Sequence, residues 1–463
     1  MIMKDIELAK RIAEAVAARG GRVYYVGGCV RDALLGIESK DIDIEVHGIA
    51  PSALEEILDI VGERISMGES FGIYSVKGYS LDIAMPRKEN VRGKGHRDFD
   101  VFVDPFIGTE RAAMRRDFTV NAIMRDVLTG EIIDPYGGKK DLENGILRHV
   151  SDSSFGEDPL RVLRMCRFAS RFGFAVAKET KAICKTMDIS ALSCERVEGE
   201  LKKALLSAER PSVFFELLRE LGMLSPWFCE LEPLIGLEQD PVYHAEGDVW
   251  THTMLVLDAA AELRDKAEDP YVFMLAALVH DLGKAVSTFR EGDRIHSYEH
   301  EEKGIPLVRA FVSRISAERK LMKCVLELVL NHMRPNKLAS FNSSVKKTNA
   351  MFDSVSAPMA LVLLAAADIR GQRGSGVEGE HTEYLLARLD TYREYMARPY
   401  VTGKDLIDSG VKPGEDFSRM LEFAHKLRLA GVNKPDALTQ TLSLINKKGD
   451  VKKVQTAKKR KKH

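Results

Sequence analysis

The sequence predicts an α+β protein in which a small α/β head precedes a mostly helical body. Two observations carry this. Up to about residue 135, short β-rich runs alternate with glycines and polar turns, whereas from Asp158 onward the apolar period becomes 3.6 and hardly any strand pattern follows. A chain of 463 residues is also several times the size of a typical domain, so more than one core is expected.

In the head, strands are expected at Val23–Val26, Ile42–Val46, Gly72–Val76, Tyr79–Ala84 and Val101–Val103, with helices over Ile6–Ala18 and Ser52–Val61. In the body, helices are expected over Leu160–Phe172, Glu195–Ser207, Val213–Gly222, Thr253–Glu262, Val272–Leu282, Ile305–Ile315, Leu321–His332 and Ala357–Ile369. The acidic, glycine-rich stretch Gly371–Gly379 is expected to be a loop, and Pro399–Leu406 to open a final small helical unit.

With 45% hydrophobic and 30% charged residues the composition is that of a soluble globular protein, which excludes collagen-like, fully disordered and coiled-coil classes. The net charge of −1 conceals an asymmetry, because Lys447–His463 holds nine Lys or Arg against one Asp. That run fits either a solvated extension or an electrostatic handle for nucleic acid. The six cysteines form no CxxC pair, which favours a reducing compartment and argues against a thiolate zinc site. No secretory signal is visible and no 18 apolar residues run in succession, so a cytoplasmic protein without a membrane span is expected.

The apolar run Val23–Val26 passes through Gly27-Gly28 into the helix-like Cys29–Leu35. A strand entering a helix through two small residues leaves backbone N–H groups exposed at the helix start, where a phosphate can bind. The next strand, Lys40-Asp41-Ile42-Asp43-Ile44, carries two carboxylates at period two, hence on one face. Like charges so placed repel, and are tolerated on a solvent-facing edge or when a cation neutralises them. Hard oxygen ligands at a strand end suit Mg²⁺ shared with substrate phosphates. Asp82, in Leu81-Asp82-Ile83-Ala84, is a candidate third ligand or an orienting neighbour.

The stretch Gly27-Gly28-Cys29-Val30-Arg31-Asp32, then Gly36, then Lys40-Asp41-Ile42-Asp43, resembles the signature of the bacterial and eukaryotic class of tRNA nucleotidyltransferases, the CCA-adding enzymes, and their poly(A) polymerase relatives. Four further elements follow in that family's order: Arg115-Arg116-Asp117-Phe118-Thr119-Val120-Asn121-Ala122, the run from Asp134 to Leu142, Glu157-Asp158-Pro159-Leu160-Arg161-Val162-Leu163-Arg164, and Glu195-Arg196-Val197-Glu198-Gly199-Glu200. The resemblance implies a polymerase-beta-like nucleotidyltransferase head over residues 1–150, a helical neck with a base-selection pocket over 151–230, and tRNA, CTP and ATP as partners. The order Glu45-Val46-His47-Gly48 after the paired acids departs from the small hydroxyl residue many relatives carry there, which leaves the strand end open.

Phosphoryl transfer needs positioning and charge stabilisation more than covalent chemistry. Asp41 and Asp43 are therefore the candidate catalytic residues and Mg²⁺ ligands. Gly27, Gly28, Arg31, Arg115, Arg116, Asp117, Asn121 and Arg164 are candidate contacts to triphosphate and ribose, with Arg116 and Asp117 weighted above Arg115 because the family's Arg-Arg-Asp element contacts the sugar. Each of them also fits a structural Arg–Asp network at a seam. Asp158 and Arg161, three apart at a helix start, share a face. Cytosine and adenine each present an amino donor beside a ring-nitrogen acceptor, so a carboxylate with a guanidinium complements both and mismatches uracil and guanine. Asp158 before Pro159 is also a good helix cap, which competes with base reading.

In the body, His252, His280-Asp281 and Asp368 stand in or beside apolar helices. Adjacent His and Asp at the end of a buried helix are costly unless they share a partner such as a divalent ion. The order resembles the HD phosphohydrolase superfamily across Trp250–Arg370 and implies such a domain over residues 231–395, with His300 and His332 where some HD enzymes have further ligands and Lys284 placed to steer phosphate. Mixed imidazole and carboxylate ligation suits Ni²⁺, Mn²⁺, Co²⁺, Fe²⁺ or Zn²⁺ better than Mg²⁺. The resemblance implies phosphatase and 2′,3′-cyclic phosphodiesterase activity. A helical tail over 396–446 and a basic extension over 447–463 complete the expected organisation, as a monomer or homodimer. An A-adding, CC-adding or poly(A)-synthesising enzyme, with the difference residing in Pro86–Ala113 and its Arg87, Arg92, Arg97 and Glu110, and an inactive RNA-binding scaffold are the alternatives.

Overall fold

A computed structural model describes residues 2–39, 41–68, 72–91, 99–372 and 378–444. Lys40, Arg92, Arg97 and the basic run 447–463 lie outside the described residues. The chain divides into two compact units, one comprising Met1–Ala204 with Val213–Pro226, the other Leu205–Ser212 with the chain from Trp227 onward.

The first unit is built on strands β1 (Arg22–Val26), β2 (Ile42–His47), β3 (Arg64–Gly68), β4 (Ile73–Val76), β5 (Leu81–Ala84), β6 (Arg87–Val91), β7 (Phe99–Val103), β8 (Met124–Asp126) and β9 (Ile132–Ile133). Seven of them form one sheet in the order β3-β4-β5-β2-β1-β8-β9, while β6 and β7 pair as a separate antiparallel ladder. Within the sheet, β2 is antiparallel to β1 and parallel to β5. Alternation sorts the side chains. Val23, Tyr25, Ile42, Ile44, Val46 and Ile83 join Leu8, Ile12 and Val16 of the helix Ile2–Ala17 and Leu54, Ile57 and Leu58 of the helix Pro51–Val61 in one core. Tyr24, Val26 and Met124 join Ala112, Ala113 and Ala122 in a second. Because Ile42, Ile44 and Val46 fill the first core, Asp43 and Glu45 are turned away from it.

Helices follow the sheet. Leu160–Phe172 ends at Gly173 in the left-handed conformation, and Cys194–Ser207 and Ser212–Leu221 come after it. The short strands β10 (Ile146–Leu147) and β11 (Ala175–Val176) pair in parallel.

In the second unit the helix Pro270–Val279 is buried from Tyr271 through Val279, so it is apolar all round and central. Around it pack Val249–Leu263, Arg319–Asn331 and Pro358–Gly371. A surface hairpin of β12 (Phe289–Glu291) and β13 (Arg294–His296) interrupts the helices. Helix Pro358–Gly371 runs two residues beyond the expected end and Glu378–Ala397 starts inside the stretch expected to be a loop, of which 373–377 are outside the described residues. Among the described residues no helix is long and apolar enough to cross a membrane.

Candidate active site and metal centre

In the first unit, Gly27 joins β1 to the helix Gly28–Leu34 at φ 69°, ψ −131°, a conformation open to glycine. A Cβ there would lie 3.2 Å from Arg116 Nη1 and 3.7 Å from Asp43 Oδ2. The turn, the guanidinium and the carboxylate thus meet at one point. Across the parallel ladder Asp43 stands beside Asp82, and Asp41 precedes the strand, exposed. Burial, then the neighbouring Asp82 and Asp41, push the Asp43 carboxyl above its ordinary value, against the pull of Arg116. Asp43 at the glycine turn, reluctant to ionise alone, with Asp41 two residues before it and Asp82 across the ladder, suits a hard divalent cation.

The strand runs on through Glu45 and His47, both buried. His47 Nε2 lies 2.8 Å from Glu45 Oε1, and Arg116 Nη2 donates to Glu45 Oε2 at 3.2 Å. Burial opposes ionisation of Glu45, but His47 and Arg116 outweigh it and hold the carboxyl below its ordinary value. A cavity of about 260 Å³ opens on this face, lined by Glu45, Met85, Arg87, Arg115 and Arg116 among others. Arg115 donates to the Arg87 carbonyl.

Several residues expected at the nucleotide are engaged with one another. Arg31 is 3% exposed and donates to Asp32 and to Asn121 Oδ1, with its guanidinium over the Phe168 and Phe172 rings. Asn121 Nδ2 donates to Asp117 Oδ1 at 2.9 Å, and Arg164 Nε to Asp117 Oδ2 at 2.8 Å. Burial of Asp117 favours its neutral form, yet Arg164 and Asn121 prevail and lower its pKa. Glu200 extends the chain of pairs to Arg167.

Asp158 and Arg161 each engage other groups. Asp158 Oδ1 accepts from Leu160 N at 3.0 Å, and Arg196 Nη2 reaches both carboxylate oxygens at 2.9 and 2.8 Å. Arg161 donates to the Ser154 carbonyl at 2.6 Å and the Arg115 carbonyl at 2.7 Å. Asp158 therefore shares its oxygens between a cap and a neighbouring arginine, both about a third exposed.

In the second unit, Asp248 caps the helix Val249–Leu263 through Thr251 N, which places His252 in its first turn, fully buried. The helix Pro270–Val279 delivers His280 and Asp281 just past its end rather than within its last turn. Gly283 lets the chain fold back, since a Cβ there would overlap the His300 carbonyl at 1.8 Å. His252 Nε2 lies 3.1 Å from Asp368 Oδ1 and 3.6 Å from Asp281 Oδ2. His300 Nε2 lies 3.3 Å and His332 Nε2 3.8 Å from Asp281 Oδ1. Nδ1 of His280, His300 and His332 faces a main-chain carbonyl, respectively Ala277, Ser297 and Val329. A carbonyl only accepts, so each Nδ1 carries a proton, and each Nε2 can offer a lone pair to a metal ion when its ring is neutral.

His280 Nε2 is buried 3.3 Å from Asp281 Oδ2 and 4.0 Å from Asp368 Oδ1. Burial, then His280, push His332 down to about 3, so it is neutral. Imidazole lone pairs and carboxylate oxygens grouped as His252, His280 and Asp281, and again as Asp281, His300 and His332, fit divalent transition-metal ions. Lys284 Nζ lies 2.6 Å from Asp281 Oδ2 and donates to Gln239 Oε1, so its ammonium is held at the ligand cluster. Sequence reasoning passed over Glu246, whose Oε1 lies 2.9 Å from His252 Nδ1 and 2.8 Å from His244 Nδ1. The one signal was the His-x-Glu spacing in the polar turn before the helix.

Residues 23–148 match the poly A polymerase head domain family, 173–235 the probable RNA and SrmB-binding site of polymerase A, and 249–368 the HD domain. A multifunctional CCA protein of Actinobacillus pleuropneumoniae is 36% identical over 380 residues, 80% of this chain and 89% of that protein. Its namesake in Alkalilimnicola ehrlichii is 35% identical over 404 residues, 84% of this chain and 93% of that one. Among solved structures, a CCA-adding enzyme of Bacillus stearothermophilus in complex with CTP shares the fold at TM-score 0.64, with 22% identity over 95% of this chain and 97% of that one. The Thermotoga maritima CCA-adding enzyme complexed with tRNA-CCA does so at 0.59, with 21% identity over 96% and 95%.

Proposed function

This chain belongs to the family of CCA-adding nucleotidyltransferases and poly(A) polymerases that carry an HD domain, and from that premise we propose that it adds C and A from CTP and ATP to the 3′ end of tRNA, releasing pyrophosphate. The observation that carries this reading is the meeting of Asp43, Arg116 and the Gly27 turn. Asp41 and Asp43, with Asp82 beside them, would hold Mg²⁺, which when bound neutralises the triphosphate and favours ionisation of the RNA 3′-hydroxyl. Arg116, oriented by Glu45, offers its guanidinium to the phosphates at the mouth of the turn. In the transfer, the 3′ oxygen forms a bond to the α-phosphorus, the α–β bridging bond breaks, and the hydroxyl proton passes to solvent. Burial of Asp117, Asn121 and Arg31 in one network makes them supports of this floor, with Arg164 at its edge.

Base choice falls to Asp158 and Arg161. A cytosine or adenine amino group takes the place on Asp158 that Arg196 otherwise occupies, and Arg161 supplies the donor to the ring nitrogen. In the second unit, His252, His280, Asp281 and Asp368, with His300 and His332 across Asp281, would hold a transition-metal centre that supplies a Lewis acid for phosphate-ester hydrolysis. Glu246 holds the His252 ring and Lys284 the Asp281 carboxylate. Opening of a 2′,3′-cyclic phosphate there breaks one P–O ester bond, forms one to water oxygen, and leaves a water proton on the freed ribose hydroxyl.

The test is extension of tRNA lacking its last three nucleotides, with each nucleotide alone and in combination. Full-length product with CTP plus ATP is expected, lost at least a thousandfold in Asp43→Asn. A product that stops after C residues, or that grows by A alone, would reassign the chain to a partial or poly(A) activity. Absence of any incorporation would overturn the reading.

A further inference from the structure

Beside the metal-ligand cluster of the second unit lies a cavity of about 590 Å³ whose wall includes Tyr298, His300, Arg334, Lys337 and Asp368. Two of these, His300 and Asp368, reach the cluster itself, so whatever enters the cavity meets the ligands directly. The other three are exposed. Tyr298 is 57% exposed and Phe289, on β12, is 44% exposed. His296 on β13 stacks on Tyr298 with centroids 4.9 Å apart and planes 15° from parallel, and Phe289 lies 5.7 Å from both rings. Three rings held together on an exposed hairpin leave aromatic surface in water, a cost that calls for a ligand with a flat face. Arg334 and Lys337, three apart on the helix Met333–Ser340, project from one side of that helix. Arg334 is oriented by Asn331 Oδ1. On the hairpin side, Glu299 is paired with Lys303 at 3.5 Å and Glu301 lies 3.6 Å from His300 Nδ1.

One exposed ring of the aromatic group, two cations and the metal-ligand cluster thus line one cavity, a combination that suits a ligand with both a flat face and a phosphate. We propose that this cavity receives the terminal nucleotide of a single-stranded RNA 3′ end, its base stacked on Tyr298 and its phosphate drawn by Arg334 and Lys337 towards His300 and Asp368. Stacking accepts every base because each has a π face, which suits an activity on RNA ends of any sequence. The assignment rests on the hydrolytic reading of the second unit.

The experiment uses the full chain loaded with Mn²⁺ and compares Tyr298→Ala, Tyr298→Phe and Lys337→Gln with wild type. Two substrates are measured, 2′,3′-cyclic AMP and the baseless glycerol 2-phosphate, together with calorimetric binding of adenosine 2′-monophosphate, which requires no turnover. Tyr298→Ala should raise KM for the cyclic nucleotide about tenfold, lower its preference over glycerol 2-phosphate by the same factor, and weaken nucleotide binding about tenfold. Tyr298→Phe should restore all three, and Lys337→Gln should weaken both substrates alike. Wild-type hydrolysis with no effect of Tyr298→Ala on preference or binding would overturn the nucleotide site while leaving the hydrolytic reading intact. No hydrolysis by wild type, with binding still lost in Tyr298→Ala, would sink the hydrolytic reading and leave the nucleotide site standing.

Discussion

His300 Nε2 and His332 Nε2 face each other at 3.1 Å, while each Nδ1 is committed to a main-chain carbonyl. Two lone pairs at that distance repel unless a cation or an added proton lies between or beside them. Burial and its imidazole neighbours push His332 down to about 3, whereas against burial the hydrogen bond to Asp281 raises His300, so an added proton would sit on His300. A metal ion shared through Asp281 would relieve the same contact in place of that proton. Calorimetry with Mn²⁺ or Ni²⁺ should therefore show binding, and free metal at a hundredfold excess over Kd should stabilise the chain by about 2.7 kcal/mol. Chelation should lower Tm by several degrees, and His332→Ala should shrink that difference. An unchanged melting profile with and without chelator would exclude a metal centre.

Gly27→Ala attacks the other site through its backbone. The residue sits at φ 69° with Arg116 Nη1 3.2 Å from where a methyl would go, so strain of about 1–3 kcal/mol is expected along with displacement of the guanidinium. Nucleotide addition should fall at least tenfold while hydrolysis by the second unit is retained. Retained addition would mean that the turn does not position the phosphates.

Specificity is the third expectation. Asp158→Ala combined with Arg161→Ala should leave pyrophosphate release measurable but reduce discrimination of CTP and ATP against UTP and GTP. Each lost bidentate contact is worth roughly 1–3 kcal/mol, or about 5- to 150-fold in kcat/KM ratio. The stability loss from parting Asp158 and Arg196 should stay within about 1 kcal/mol, because both are partly exposed. Identical ratios for all four nucleotides before and after substitution would move base selection elsewhere.

What could be read without coordinates was whatever local periodicity or adjacency encodes. Asp41 and Asp43 declare a common face because a strand alternates, and His280-Asp281 declares itself because a polar pair abuts an apolar helix. Contacts made by distant segments leave no such trace. Glu246 reaches His252 only through the turn before its helix, and Arg161 also donates to the carbonyls of Ser154 and Arg115, contacts that no spacing rule reports. Arg31, expected at a phosphate from its place after the glycine turn, also packs on the Phe168 and Phe172 rings and donates to Asn121, contacts that its local sequence does not announce. The hairpin β12–β13 escaped notice because its exposed strands lack an apolar alternation, and the two-residue β9 is too short to show one.

Cys184 makes the fold's own pH dependence testable. Its buried thiol lies 3.5 Å from Met165 Sδ, and burial pushes its pKa up to about 12; burial likewise raises Cys166 well above its ordinary value. Raised folded values mean that the native state keeps a proton the unfolded chain loses. Stability is therefore complete below the unfolded thiol value near 9 and declines as pH rises towards 12, by about 1.4 kcal/mol per pH unit for each such thiol. Urea midpoints measured between pH 8.5 and 10.5, intervals chosen at about the unfolded thiol range, should fall more steeply for the wild-type chain than for Cys184→Ala. Iodoacetamide should modify Cys184 only in urea, since the native thiol is both neutral and enclosed. Parallel pH slopes in the two proteins, or rapid alkylation under native conditions, would show that the helix Lys178–Cys184 opens to solvent from the folded state.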